Sequence, residues 1–162
     1  MSRYARSSHQ SYTASFGPGP ITPAVKWILI ANIALFVVSL IEPRIILYLG
    51  LVPEEVLRPG WIWQLGTYMF LHSGIGHILF NMLGVWMFGV ELERIWGTRF
   101  FSYYYAVTGL GGGATMLLIS LLPFAATAPA YTSVTIGASG ALFGLLLAFA
   151  LYYPERPILI MM

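Results

Sequence analysis

Four apolar runs, each of a length to cross a bilayer, constrain this chain more than any other feature of its sequence. They occupy residues 24–41, 75–90, 100–122 and 135–153. About 30 Å of hydrocarbon is crossed at 1.5 Å per residue, so a spanning helix needs roughly 20 mostly apolar residues, and the second run is the marginal one. Pro43, Gly97, Pro123 and Pro154 close the four runs, as residues that lack a backbone donor or loosen the chain do. After Pro157 the stretch ILIMM reads as the first turn of a fifth span. Composition agrees: 58% of the 162 residues are hydrophobic and 9% are charged, against about 25% charged in an ordinary soluble domain. The expectation is an all-α, polytopic membrane helix bundle with four complete spans and the start of a fifth.

Residues 1–23 are polar and turn-rich and lack the apolar stretch of a signal peptide. They are expected to be a flexible cytoplasmic tail, in which His9 does nothing, ahead of a membrane domain over 24–162. A net charge of +2 with no basic run argues against nucleic acid. The lack of cysteine removes disulfides and thiolate chemistry. Lys and Arg set the orientation. With the amino terminus inside, Arg3, Arg6, Lys26, Arg94, Arg99 and Arg156 are cytoplasmic and only Arg44 and Arg58 lie outside. The second and fourth spans then run the same way. The connection 42–74 holds IILYLGLV, too short to cross, and then Trp61, Trp63, Tyr68 and Phe70. It reads equally as a segment lying at the membrane interface or as an ordinary loop.

Polar groups inside a membrane are expensive and therefore functional candidates. The second run carries His77 and Asn81, four residues apart and so on one helical face. The fourth carries Ser139 within Gly137-Ala138-Ser139-Gly140. Counted from the outer ends, His77 lies ~3 Å deep, Ser139 ~6 Å and Asn81 ~9 Å. Two parallel spans thus offer a hydroxyl, an imidazole and an amide at one level. That set suits acyl transfer: a serine attacks a carbonyl, and preorganised donors hold the oxyanion. Each feature also has a plainer reading. Gly137, Gly140, Ala141 and Gly144 suit tight helix packing, as do Gly109, Gly111, Gly112 and Gly113. A His-Asn pair can be a packing hydrogen bond. The aromatics of 86–88 and 100–105 suit core and lipid contact.

Taken in order, WQLGTYMFLHSGIGHILFNMLGVWMFG, then ELERIWGTRFF with Glu93 four residues before Gly97, then TIGASGALFG, resemble the rhomboid family of intramembrane serine proteases. The likeness is strongest over 57–162. It implies that Ser139 is the nucleophile and that His77, Asn81 and the backbone of Ser139 hold the oxyanion. It further implies that Gly137 and Gly140 shape the serine turn and that Glu93 anchors the turn after the second span. Phe143 falls where the family packs an aromatic on its base histidine, and His72 matches a histidine of structural role. The implied protein is a serine endopeptidase that cleaves transmembrane protein substrates in the lipid bilayer, with no metal or cofactor. Its expected place is a bacterial inner membrane, with the amino terminus cytoplasmic.

Two departures stand out. The family's Trp-Arg pair reads Trp63-Gln64, which bears on the polar anchoring of the long loop. The family's base is a histidine in an Ala-His-x-x-Gly setting on a sixth span, and no histidine follows His77 here. A chain without that base is expected not to turn over peptide at a useful rate, since general-base help is worth ~10²–10⁴. The alternative is a non-catalytic rhomboid-like protein that binds transmembrane helices. A channel is disfavoured by the few charges in the spans, and a zinc hydrolase by the absence of HExxH.

Overall fold

A computed structural model describes residues 18–155. Arg3, Arg6, His9, Arg156, the rest of 1–17 and the ILIMM stretch lie outside the described residues. Within them the protein is all-helical. Helix α1 (Pro23–Ile41) is followed by three short loop helices, α2 (Ile45–Leu49), α3 (Pro53–Leu57) and α4 (Gln64–Thr67). Then come the 46-residue α5 (Ile75–Ser120) and α6 (Ser139–Tyr152).

The interior of α5 is helical except at Gly97, whose φ of 75° and ψ of 158° divide it into limbs 75–96 and 98–120. A positive φ is where glycine is at home and an L side chain is not. The first limb outruns the apolar run that announced it, because Glu91 and Glu93 continue the helix where hydropathy stops. The fourth run needs the opposite correction. Its helix starts at Ser139, not at 135, because Thr135 is held extended by reciprocal backbone hydrogen bonds with Leu51 (2.9 and 2.8 Å).

The two ends of the molecule are tied differently. At one end Glu93, buried at 2% exposure, accepts from the backbone N–H of Ala24 (2.9 Å) and Val25 (3.0 Å) and from the hydroxyls of Thr22 and Thr98 (2.5 and 2.7 Å). Ala24 and Val25 sit in the first turn of α1, where N–H groups have no helical partner and a negative charge is favoured. One carboxylate therefore joins the start of α1 to the break in α5. Arg94 beside it donates to the carbonyls of Pro18 and Pro20.

At the other end the 42–74 connection is a folded cap. Fully buried Gln64 accepts from Val52 N–H (3.0 Å) and donates to the carbonyls of Leu47 and Tyr48 (3.3 and 3.4 Å). Trp63 Nε1 donates to Tyr48 as well, and Tyr48, Trp61 and Trp63 stack in a row. Gln64 thus supplies the loop's polar anchoring through three backbone groups. Tyr68 links this cap to the helices: its carbonyl accepts from Gly137 N–H (2.9 Å), and its hydroxyl donates to Gly109 O (2.8 Å).

Between the ends, Val85, Val90, Leu92, Phe101 and Leu145 are fully buried. The second limb of α5 and α6 meet backbone to backbone, a Cβ on Gly112 standing 3.1 Å from Gly140 Cα. The outer faces stay apolar, with Trp27, Ile33 and Leu40 of α1 and Leu147 and Leu151 of α6 exposed. Helices α1 and α5 are long and apolar enough to cross a membrane, and α6 is a shorter apolar helix. Helices apolar on every side belong in lipid or in a large core.

Candidate active site

The site lies at the capped end, where two helices begin. Gly74 is the extended N-cap of α5, so His77 stands in its first turn and Asn81 one turn further. Ser139 is the first residue of α6, following Ala138 as N-cap. Its helical backbone bonds start with Leu142 N–H to Ala138 O (2.9 Å), so the amides before Leu142 point outward unspent, as at any helix start.

Gly137 brings the two starts together. Its φ of 123° lies outside the reach of ordinary side chains. A Cβ there would stand 2.7 Å from His77 Nε2 and 3.9 Å from Ser139 Oγ. The imidazole fills the room that the absent side chain leaves, and the serine hydroxyl lies within van der Waals reach of the same point. Ser139 is exposed and Phe143, four residues on along the same face, is 71% exposed. No hydrogen bond joins Ser139 Oγ to His77 or Asn81 among the described residues. Asn81 is buried and its amide donates to His77 O at 3.0 Å. Its nitrogen is thus engaged within its own helix rather than extended toward the serine. Gly140 packs on the Tyr68 hydroxyl and on Gly112. Glu93 belongs to the far end of the first limb and acts there on α1.

His72 is 1% exposed and meets the His77 ring edge-on, with centroids 4.9 Å apart. Neither ring nitrogen has a hydrogen-bond partner. Burial, and then the neighbouring His77, lower its pKa to about 4, so the ring is neutral over the physiological range.

Two further residues build this corner. Tyr68 reads in the sequence only as one of the loop aromatics; the glycines Gly112, Gly113 and Gly140 that surround its phenol, with Gly109 making room for Met69, are the sign of bulky groups between close backbones. Ser73, four residues before His77, contacts the imidazole on the side away from Gly137, with Oγ 3.1 Å and the backbone N 3.4 Å from Nδ1. An exposed serine hydroxyl at a helix start, beside an imidazole and free amides, is an arrangement that can carry a nucleophile and its oxyanion donors.

A family model described as the Rhomboid domain matches residues 59–162. RHOMBOID-like protein 1 of Arabidopsis thaliana is 40% identical over 85 residues, which are 52% of this chain and 19% of that protein. Rhomboid protease GluP of Bacillus subtilis (strain 168) is 34% identical over 97 residues, 60% of this chain and 17% of that protein. Rhomboid-like protease 3 of Toxoplasma gondii is 26% identical over 130 residues, 76% of this chain and 46% of that protein. The chain thus spans about a fifth of the first two relatives. Since the domain match takes in more than half of the chain and includes His77, Asn81 and Ser139, the protein is an integral membrane member of the rhomboid family.

Proposed function

We propose that this chain carries the serine and oxyanion elements of a rhomboid-type intramembrane serine endopeptidase acting on transmembrane protein substrates. The observation that carries this reading is the meeting of Ser139 Oγ and His77 Nε2 around Gly137, both within 4 Å of one point. In the reaction, Ser139 Oγ attacks the scissile carbonyl carbon while its proton passes to a general base. His77 Nε2–H and the free amides at the start of α6 receive the oxyanion, and the amide of Asn81 joins them on turning from the His77 carbonyl. The peptide C–N bond breaks as the leaving amine takes up the proton, and water then cleaves the acyl-enzyme. The base is the role that no described residue fills; in the family resemblance it falls to a histidine in an Ala-His-x-x-Gly setting.

The topology belongs to the same reading. Helix α1, both limbs of α5 and α6 are four crossings, with 1–23 a cytoplasmic tail and 24–162 one membrane domain in a bacterial-type inner membrane. The Glu93 tie supports it by joining the start of α1 to the α5 break, two points that alternate crossings put on one side. The Leu51–Thr135 pairing and the Tyr68–Gly137 hydrogen bond likewise join the two connections on the other side.

The test is labelling by an active-site serine phosphonate, with cleavage of a transmembrane reporter, by the product of the complete reading frame. Labelling and cleavage are expected, and both vanish in Ser139→Ala. Labelling that survives Ser139→Ala overturns the reading. The inward-turned amide of Asn81 is the one observation that favours a non-catalytic helix binder, for which the wild type does not label.

A further inference from the structure

The Ser73–His77 contact decides which nitrogen of His77 carries its proton. A neutral imidazole has one donor and one acceptor nitrogen, and its partners fix which is which. A serine hydroxyl can give or accept, so the 3.1 Å approach of Ser73 Oγ to Nδ1 decides nothing alone. The backbone N–H of Ser73, 3.4 Å from the same Nδ1, can only give. A hydrogen on Nδ1 would face that N–H proton against proton. Nδ1 is therefore the acceptor, the hydroxyl turns its hydrogen the same way, and the ring hydrogen sits on Nε2. Nε2 is the atom at Gly137, on the side of Ser139. His72 does not compete, because it meets the ring edge-on and neither of its nitrogens is hydrogen-bonded.

We infer that Ser73 is a positioning residue that holds His77 in its Nε2–H form, making that imidazole a hydrogen-bond donor toward the Ser139 oxyanion site and unfit to serve as its base. The inference rests on the proposed protease reading for its purpose, and on geometry alone for its tautomer. It also gives a physical reason why a second imidazole has to supply the base: the His77 lone pair points at Ser73, away from the serine.

Ring-nitrogen chemical shifts of the isotope-labelled chain in detergent micelles, at mildly alkaline pH, test it directly. The wild type is expected to show Nδ1 as the unprotonated nitrogen and Nε2 as the protonated one. Ser73→Ala removes the shorter of the two contacts but keeps the backbone N–H, so Nε2–H stays the major form while the Nδ1–H fraction rises, and Ser73→Thr restores the wild-type shifts. In the product of the complete reading frame, Ser73→Ala lowers phosphonate labelling about two- to threefold, far less than the ~10²–10³ lost with an oxyanion donor itself. A proton on Nδ1 in the wild type, or ring shifts that Ser73→Ala leaves unmoved, overturns the inference. If the shifts are as expected but Ser139 does not label, the tautomer stands and the protease reading falls. If Ser139 labels while Nδ1 carries the proton, the reverse holds.

Discussion

Nε2 of His77 stands 2.7 Å from the point that a Cβ on Gly137 would occupy. Glycine is thus required twice at this position, by that contact and by a φ of 123°. Gly137→Ala is expected to cost about 1–3 kcal/mol from the strained backbone alone and to push the imidazole off the serine. Unfolding followed by circular dichroism in mild detergent measures the first effect, and phosphonate labelling of Ser139 the second. A variant that unfolds like the wild type and labels at the wild-type rate would show that the imidazole does not sit in this corner.

Glu93 gathers four donors from two segments distant in sequence. Glu93→Gln keeps the shape but turns an amide hydrogen toward donors, and hydrogen bonds to a charged group are worth about 1.5–3 kcal/mol. A loss of that order is expected, with faster protease cutting ahead of α1. Glu54→Gln, at a partly exposed ion pair with Arg58, is the control and should shift stability by less than about 1 kcal/mol.

How much of this could be read beforehand differs by element. The long apolar helices were legible because their length and apolarity show in contiguous residues, and Gly97 marked the break without help from structure. The start of α6 was not legible. Thr135 is apolar enough in its surroundings to extend the run, and only its pairing with Leu51, distant in sequence, holds it extended. Ser139 thereby moves from inside a helix to its first residue, where free amides lie beside it. Gln64 looked like a lost anchor, since a sequence shows that an arginine is missing but not that a glutamine can bond three backbone groups in its place. Asn81 was legible as sharing the His77 face, but neither its burial nor the choice its amide makes of a carbonyl one turn back could be read.

His72 makes the fold sensitive to acid. Its ring is neutral in the folded state down to a pKa of about 4, whereas an exposed histidine in the unfolded chain takes up a proton near ~6.5. Between those values the unfolded state binds more protons, so stability falls as pH drops from about 6.5 toward 4 and then levels. His72→Phe keeps a ring in the cavity, removes both unpartnered nitrogens and should flatten that part of the profile. Thermal unfolding in detergent at stepped pH reads both curves. A wild-type midpoint rising on acidification through this window would contradict the burial that lowers the pKa.

Gly111 and Gly112 are neighbours in one limb of α5, yet they should respond to alanine with opposite signs. Nothing lies within 4 Å of a Cβ on Gly111, so Gly111→Ala only removes the entropy that glycine loses in a helix and should stabilise by about 0.5–1 kcal/mol. A Cβ on Gly112 would stand 2.9 Å from the Tyr68 hydroxyl and 3.1 Å from Gly140 Cα. Gly112→Ala must therefore part α5 from α6 or dislodge the phenol from Gly109 O, at a cost of about 1–3 kcal/mol. Because Gly140 adjoins Ser139, that separation also moves the serine, and Gly112→Ala should slow phosphonate labelling while Gly111→Ala leaves it unchanged. Equal shifts in the two unfolding midpoints would mean that α6 does not cross α5 at Gly112, and the serine would then lose its seat beside His77.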